Sequence, residues 1–286
     1  MKLAILSTVG TSVLGNMEKT ASSLGLGSDD QNLLKERPSQ WGTSDERQSR
    51  IRNRIVNGDP LFEAAKKAVA DAPQEMSAEL NAVMGYLSGF QARTAIEEVE
   101  LYLYPTDTAT SLFCARAIQE YIKTGNLGRR TGLPLGTTIN VNDPITLRGF
   151  SRFGDETNFN DGLTDLLDKV ARLITSKRRD GYKVVANPTG GFKAETAYFT
   201  LIAMLAGAWR IIYMHESMKQ VVELPSLPIT LDHMYAEELK RLGESKIPAS
   251  AARQLVDLND LKERLLVAEE DGMVKVNEWA RKLIEY

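Results

Sequence analysis

One glycine-containing turn has the residue types that phosphate binding requires. Its members, in order, are Asn187, Pro188, Thr189, Gly190, Gly191, Phe192 and Lys193. The proline ends a strand-like run, and the two glycines let a ligand approach the backbone closely. The helix predicted to follow would offer free N–H groups and its positive end to an anion. Lys193 would lie in the first turn of that helix, where a cation opposes the helix dipole unless an anion neutralises both. This pattern predicts a phosphate site, with a glycine-rich helix entry and a solvated lysine as the simpler alternative.

Two further polar turns follow strand-like runs. The first turn consists of Gly10, Thr11 and Ser12, and the second consists of Thr106, Asp107 and Thr108. The first supplies a flexible backbone with two hydroxyl groups. In the second, Asp107 is also a candidate helix N-cap. Taken with the turn at 187–193, they predict a single site formed by three turns.

Alternating strands and helices are needed to bring these turns together. The predicted strands cover residues 2–9, 99–104, 136–141, 182–186, 210–214 and 220–224. The predicted helices include residues 44–56, 60–72, 76–90, 160–176 and the stretch after 193, whereas 18–43 is predicted to be a loop. This alternation is typical of an α/β fold with a mostly parallel sheet and helices on both faces. Ligands of such sheets bind beyond the carboxyl ends of the strands, where all three turns would lie.

Composition and charge exclude several functional classes. The 286 residues are 43% hydrophobic and carry a net charge of −3, so a general nucleic-acid or membrane-surface binder is not expected. No apolar run reaches membrane-spanning length and no signal-like segment begins the chain, which predicts a cytoplasmic protein. The single cysteine, Cys114, lies in an apolar helical pattern typical of a packed core. The two histidines, His215 and His233, lack ligand spacing, so neither a metal nor a cofactor is predicted.

The C-terminal residues 226–286 are predicted to form a separate small module. Helical patterns at 231–242, 258–268 and 277–286 and a short strand at 273–276 are typical of a winged-helix-like domain. This segment holds nine Lys or Arg residues against twelve Asp or Glu residues, a net charge of −3. DNA binding normally requires a basic surface, so this module is predicted to support dimerisation or to cover the site rather than bind DNA.

The three turns together resemble the CARF-domain proteins of type III CRISPR systems, and most closely their stand-alone ring nucleases. The resemblance covers about residues 1–225, with a helical insertion at about 13–90, and the turn at 187–193 is its most specific part. It implies a Rossmann-like CARF domain in a homodimer that binds cyclic oligoadenylate across its two-fold axis. The family's active-site serine and lysine correspond to Ser12 and Lys193, with Thr11 as an alternative hydroxyl.

The activity implied by this resemblance is metal-independent cleavage of cyclic tetra-adenylate, which switches off an antiviral signal. RNA supplies its own nucleophile, the ribose 2′-OH, so alignment and charge stabilisation carry most of the catalysis. Lys193 would stabilise the charged transition state, and Ser12 would orient the phosphate or the 2′-OH. The linear products would carry 2′,3′-cyclic phosphates.

The sequence leaves one main alternative open, a CARF sensor that binds cyclic oligoadenylate without cleaving it. Such a protein would sequester the ligand or act as a winged-helix transcription regulator. An Arg-x4-His match to the HEPN ribonuclease motif, Arg210 to His215, lies on a predicted apolar strand and is interpreted as accidental. A Rossmann dehydrogenase is disfavoured because no Gly-x-Gly-x-x-Gly follows the first strand.

Overall fold

A six-stranded sheet forms the centre of the computed structural model, which describes residues 1–149, 156–215 and 220–286. The strand order is β3-β2-β1-β4-β5-β6, with β1 to β5 parallel and β6 antiparallel to β5. The bounds are β1 (Lys2–Val9), β2 (Glu98–Pro105), β3 (Thr138–Val141), β4 (Lys183–Asn187), β5 (Arg210–His215) and β6 (Gln220–Leu224). The predicted α/β class and mostly parallel sheet are confirmed.

Fifteen α-helices accompany the strands of the described residues. Eight precede the segment that joins β3 to β4: α1 (Ser12–Thr20), α2 (Ser28–Lys35), α3 (Gln48–Arg52), α4 (Pro60–Asp71), α5 (Pro73–Met76), α6 (Ala78–Gly89), α7 (Ala109–Lys123) and α8 (Asn126–Thr131). The others are α9 (Glu156–Leu166), α10 (Arg172–Arg179), α11 (Lys193–Leu205), α12 (His233–Leu242), α13 (Ala249–Leu255), α14 (Leu258–Glu263) and α15 (Glu278–Leu283). A π-helical turn, Leu167–Ala171, joins α9 to α10.

Helices cover both faces of the sheet because alternate strand residues point to opposite sides. Leu3 and Ile5 of β1 pack in one buried cluster with residues of α1, α4, α6 and α7. Ala4 and Leu6 belong to the other cluster, with residues of α9, α10 and α11. The nearly continuous apolar run of β1 is therefore the pattern of a central strand buried on both faces.

The register of the central strands aligns their carboxyl ends. Val9 of β1 pairs with Pro105 of β2, and Ser7 of β1 pairs with Asn187 of β4. The turns that follow these three strands therefore begin at one edge of the sheet. This is the edge at which a parallel α/β sheet binds its ligands.

The region between β1 and β2 departs from two of the sequence predictions. Residues 18–43 are not only a loop, because they contain α2, whose Leu33 and Leu34 are buried. Residues 44–56 contain only the short helix α3. Burial of apolar side chains stabilises α2 although its Ser, Asp and Asn residues have low helix propensity, since propensity is a weak contribution compared with tertiary packing.

The C-terminal region has its own small core and a three-stranded antiparallel sheet of order β7-β9-β8. The strands are β7 (Ile247–Pro248), β8 (Val267–Glu270) and β9 (Met273–Val276). The helix predicted over 258–268 ends at Glu263, and β8 replaces its last turn, because Val267 is buried against the C-terminal core.

Helix α15 connects this region to the larger one. The indole N–H of Trp279 donates to the side-chain oxygen of Asn160 at 2.9 Å, and Lys282 forms an ion pair with Asp168 at 2.7 Å. No helix in the described part of the chain is long and apolar enough to cross a membrane.

Candidate functional site

The turn at 187–193 is packed directly against the turn that follows β1. Asn187 ends β4, and α11 begins at Lys193 with Phe192 as its N-cap residue. A side chain at Gly10 would place its Cβ 2.7 Å from the backbone nitrogen of Gly191, which is closer than any real contact. Gly191 has a φ of +98°, a backbone conformation that favours glycine. The glycines therefore permit both the close contact and the shape of the turn.

Asn187 and Thr189 hold this turn in place rather than project from it. Asn187 is fully buried, and its amide donates to the Ser7 hydroxyl at 2.9 Å. The Thr189 hydroxyl donates to the Asn187 side-chain oxygen at 2.5 Å and accepts from the backbone N–H of Met214 at 3.2 Å. Pro188 is buried as well. These three residues position the backbone that follows them.

A buried carboxylate that the sequence pattern did not predict, Glu79, lies at the start of α6. It is 1% exposed and accepts hydrogen bonds from the backbone N–H of Gly10 at 2.8 Å and from the hydroxyls of Ser12 at 2.7 Å and Ser77 at 2.8 Å. A Cβ at Gly190 would lie 2.0 Å from a Glu79 oxygen. Glu79 therefore links α6 to two of the predicted turns. The sequence shows only that Glu79 follows Ser77, a residue suited to cap a helix; it does not show that Glu79 contacts the turns.

The turn at 106–108 begins α7 and lies beside the other two. Thr108 is the N-cap, and its hydroxyl accepts from the backbone N–H of Ser111 at 3.1 Å. The hydroxyls of Thr106 and Thr108 are 3.2 Å apart. The Asp107 carboxylate instead accepts from the backbone N–H of Gly149 at 3.3 Å, so the helix cap is Thr108 and not Asp107.

Six of the predicted site residues line one pocket of about 330 Å³. They are Gly10, Thr11, Thr106, Thr108, Gly191 and Phe192. The rest of the described lining comes from residues 39–43, between α2 and α3, and from Thr110. Ser12 and Lys193 are not part of this lining; Ser12 is half-buried, and Lys193 is exposed at the start of α11. The structure thus gathers all three turns at one edge of the sheet, with the pocket between them.

A second cavity of about 660 Å³ adjoins this pocket, and Thr108 lines both. Its described lining includes Asp107 and two arginines, Arg52 and Arg148. In contrast to the first pocket, it contains charged groups of both signs, since Asp161 and Asp165 also line it. We call the two cavities the neutral pocket and the charged cleft.

A second buried carboxylate, Glu195, lies in the first turn of α11. It is fully buried, and neither oxygen makes a hydrogen bond of normal geometry to a described residue. Burial raises the pKa of this carboxyl to about 8, with Asp107 adding to the rise and the backbone N–H of Phe192 opposing it. Glu195 is therefore mainly protonated at neutral pH.

The described residues do not include a group of three or more His, Cys, Asp or Glu side chains placed to hold a metal ion. Cys114 is completely buried, and burial raises the pKa of its thiol well above the ordinary value. A buried thiol in this state is a poor nucleophile, which agrees with the core position expected from its sequence context.

The chain matches a protein-family model and aligns weakly with solved structures. Among these structures, the crystal structure of protein VC1899 from Vibrio cholerae aligns at 10% identity and a TM-score of 0.32, over 72% of this chain and 61% of that one. Residues 74–227, which include the turns at 106–108 and 187–193, match a family described as "CRISPR-associated protein (Cas_APE2256)". This match spans more than half of the sequence, and the chain therefore belongs to this family of CRISPR-associated proteins.

Proposed function

We propose that this CRISPR-associated protein is a ring nuclease: it binds cyclic oligoadenylate, with cyclic tetra-adenylate as the proposed ligand, and cleaves it without a metal ion. The observation that carries the proposal is the convergence of the turns at 10–12, 106–108 and 187–193 around one pocket at the carboxyl edge of the sheet. This edge adjoins the N-terminus of α11, a helix of 13 residues. Membership in a CRISPR-associated family supports an antiviral role for such a site.

Lys193 and the N-terminus of α11 are the groups proposed to hold the scissile phosphate. The first backbone N–H groups of a helix lack partners within the helix and carry its positive end. Lys193 is exposed at that terminus, so its ammonium group is accessible to an anion. Together they would stabilise the additional negative charge that develops on the phosphate in the transition state.

Ser12 is proposed to orient the ribose 2′-OH by accepting its hydrogen bond. The hydrogen of the Ser12 hydroxyl is donated to Glu79, and the backbone N–H of Ala78 donates to the Ser12 oxygen at 3.3 Å. A serine oxygen has two acceptor sites, so one remains for the 2′-OH. Thr11 lines the neutral pocket, but its hydroxyl donates to the Ser39 carbonyl at 2.9 Å, which makes it the second choice for this role.

The proposed reaction is a transesterification that needs no water. The 2′-oxygen forms a bond to phosphorus, and the bond from phosphorus to the 5′-oxygen breaks. The 2′-OH loses one proton and the leaving 5′-oxygen gains one. The products are a 2′,3′-cyclic phosphate and a 5′-OH, so atoms and electrons balance. No histidine takes part in the described site, and positioning with charge stabilisation alone predicts slow turnover.

The size of the neutral pocket supports a symmetric dimer as the binding unit. Its volume of about 330 Å³ suits roughly one nucleoside and is too small for a ring of several nucleotides. A homodimer around a two-fold axis would present two copies of the site to a ring that is itself symmetric. We therefore propose a homodimer with cyclic oligoadenylate across its axis.

The decisive experiment is single-turnover incubation with cyclic tetra-adenylate in EDTA, with separation of the products. We expect linear products with 2′,3′-cyclic phosphate, and a rate at least about 100-fold lower for Lys193→Ala, because the variant loses the cation at the phosphate. Lys183→Ala is the matched control, since Lys183 is an exposed lysine at the opposite end of β4. An intact ring after prolonged incubation, or equal rates for the two variants, would contradict the nuclease proposal.

Binding without cleavage is the second candidate, and one observation favours it. The Ser12 hydroxyl hydrogen is committed to a buried carboxylate, and neither Ser12 nor Lys193 lines the neutral pocket. A sequestering protein or sensor needs only the pocket. In the same experiment this function predicts tight binding of a ring that remains intact.

A DNA-binding role for residues 226–286 has less support. Two basic residues near α14 are already paired, Lys262 with Glu269 and Arg264 with Asp260. The net charge of −3 that the sequence gives this region also opposes DNA binding. Its contacts through α15 fit the proposed supporting role for a separate C-terminal module.

A further inference from the structure

The neutral pocket differs from an ordinary phosphate site because none of its described lining residues is charged. A phosphate placed within it would lose its hydration without gaining a cation. A nucleobase has the opposite requirements, since it offers a large apolar face and a polar edge. The pocket provides aromatic surface from Trp41 and Phe192 and polar groups from threonine and glutamine side chains. These properties suit a base and not the phosphate attached to it.

The Trp41 side chain is fixed in the wall of the pocket by contacts with neighbouring residues. Its indole N–H donates to the carbonyl of Glu36 at 3.1 Å, and the guanidinium of Arg47 lies 4.6 Å from its ring centre. Arg47 is itself paired with Asp45 at 2.7 Å, so its charge is compensated. An aromatic side chain fixed in this way loses little entropy when a base packs near it.

Most polar side chains of the pocket form hydrogen bonds within the described part of the chain, but those of Gln40 and Thr43 do not. The Thr108 hydroxyl accepts from Ser111 and from Thr110, and the Thr11 hydroxyl donates to Ser39. The Thr43 hydroxyl, in contrast, is buried without a hydrogen-bond partner among the described residues. Gln40 is exposed, and no hydrogen bond joins its side-chain amide to another described residue.

Positive charge is available just outside the pocket. Lys193 follows Phe192 directly, and Arg52 and Arg148 line the charged cleft that shares Thr108 with the pocket. A nucleotide could therefore keep its base among uncharged groups and its phosphates next to cations.

We infer that the neutral pocket is an adenine subsite, in which the Gln40 amide and the Thr43 hydroxyl bind the polar edge of the base. A glutamine amide pairs with adenine in two places, because it donates to N7 and accepts from the N6 amino group. Guanine presents two acceptors at the same edge and does not match. Rotation of the Thr43 side chain about its Cα–Cβ bond would turn its unpaired hydroxyl to the ligand. The assignment deepens the proposed function, but it requires only a mononucleotide for its test.

The test is titration of the 286-residue protein with adenosine 5′-monophosphate, in which calorimetry or NMR measures the binding. We expect saturable binding in the millimolar range, and about tenfold weaker binding of guanosine and uridine 5′-monophosphates, equivalent to the loss of one good base contact. Gln40→Ala and Thr43→Val should each weaken adenosine monophosphate binding about tenfold. Because the Thr43 hydroxyl has no hydrogen-bond partner among the described residues, Thr43→Val should leave the thermal unfolding midpoint unchanged or higher.

Matched controls are Gln91→Ala and Thr94→Val, two exposed residues that precede β2 at the opposite edge of the sheet. Both should bind like the natural protein. Absence of saturation by about 10 mM nucleotide, equal affinity for the three nucleotides, or unchanged binding by both pocket variants would overturn the subsite. Failure of ring cleavage with this binding pattern intact would instead reject the nuclease proposal alone. Cleavage of the ring without the pattern would reject only the subsite.

Discussion

Two buried carboxylates flank the consecutive glycines at 190 and 191, and their environments differ sharply. Glu79 lies against Gly190 and accepts three hydrogen bonds, from Gly10, Ser12 and Ser77. Glu195 lies against Gly191, 3.4 Å from the position of a Cβ there, and has no partner of normal geometry among the described residues. Burial by itself therefore does not decide what an acidic side chain does at this site. The number of donors that surround it does.

This difference divides the turn into two parts. The part at Gly190 is fixed by the hydrogen bonds of Glu79, whereas the part at Gly191 lies next to Glu195 and should respond to pH. The donors around Glu79 connect α6, the turn after β1 and the glycine-rich turn into one network, so a change there should disturb all three. Glu195 is mainly protonated at neutral pH because the effect of burial on its pKa outweighs that of the Phe192 backbone N–H, so its effect should depend on pH. Three predictions test this division: two at a single pH, from the larger expected effect to the smaller, and one across a range of pH.

The largest effect is expected from removal of the Glu79 carboxylate. Glu79→Ala leaves one backbone N–H and two hydroxyls without their acceptor, which should lower the free energy of unfolding by about 2–4 kcal/mol. Chemical denaturation measures this loss. If Glu79→Ala does not fold, Glu79→Gln is measured in its place. Glu75→Ala, one turn earlier and exposed, should change little. Equal stability of the Glu79 and Glu75 variants would show that the network contributes nothing.

A smaller loss is expected from Gly190→Ala, because the new methyl group would lie 2.0 Å from a Glu79 oxygen. Overpacking of this kind costs about 1–3 kcal/mol of stability. Gly89→Ala is the control, since nothing lies within 4 Å of a Cβ at the end of α6. The free energies of unfolding of both variants, measured under one condition, give the comparison. Similar values for the two would mean that the turn can move away from Glu79 without cost.

The third prediction concerns Glu195, whose contribution to stability changes with pH. Its folded pKa of about 8 lies above the ordinary value of 4.5, so the folded protein binds more protons between these values. Stability from this group is fully present below about pH 4.5 and is lost as the pH rises through 8, with a slope of up to about 1.4 kcal/mol per pH unit.

Glu195→Gln should remove that slope, because the amide does not titrate. Denaturation of both proteins at several pH values between 5 and 8.5, about the window that the raised pKa defines, measures it. Glu46→Gln, at an exposed position before α3, should keep the natural pH dependence. If the Glu195 variant follows the same pH profile as the natural protein, Glu195 is ionised in the fold and the division of the turn is wrong.

The sheet was predictable because its signals are local. Continuous apolar runs mark strands buried on both faces, such as β1 and β4. Strands β1, β2, β4, β5 and β6 all begin and end within one residue of their predicted bounds. The errors lie where packing overrides local preference. Helix α2 forms in a segment with loop composition because Leu33 and Leu34 are buried, and β8 interrupts a helical pattern because Val267 joins the C-terminal core.

The sequence alone determined the three turns and their common edge, since strand order in a parallel α/β sheet brings successive carboxyl ends together. It also showed the glycines that such turns need. Only the tertiary structure decided which carboxylates surround those glycines. Glu79 is 111 positions from Gly190 in the chain, and no local pattern encodes a contact between them. Hydrogen-bond satisfaction, burial and pocket shape depend on distant segments that meet only after folding. Local spacing therefore predicted where a ligand would bind, whereas the folded environment decided the protonation of Glu195 and the uncharged lining of the pocket.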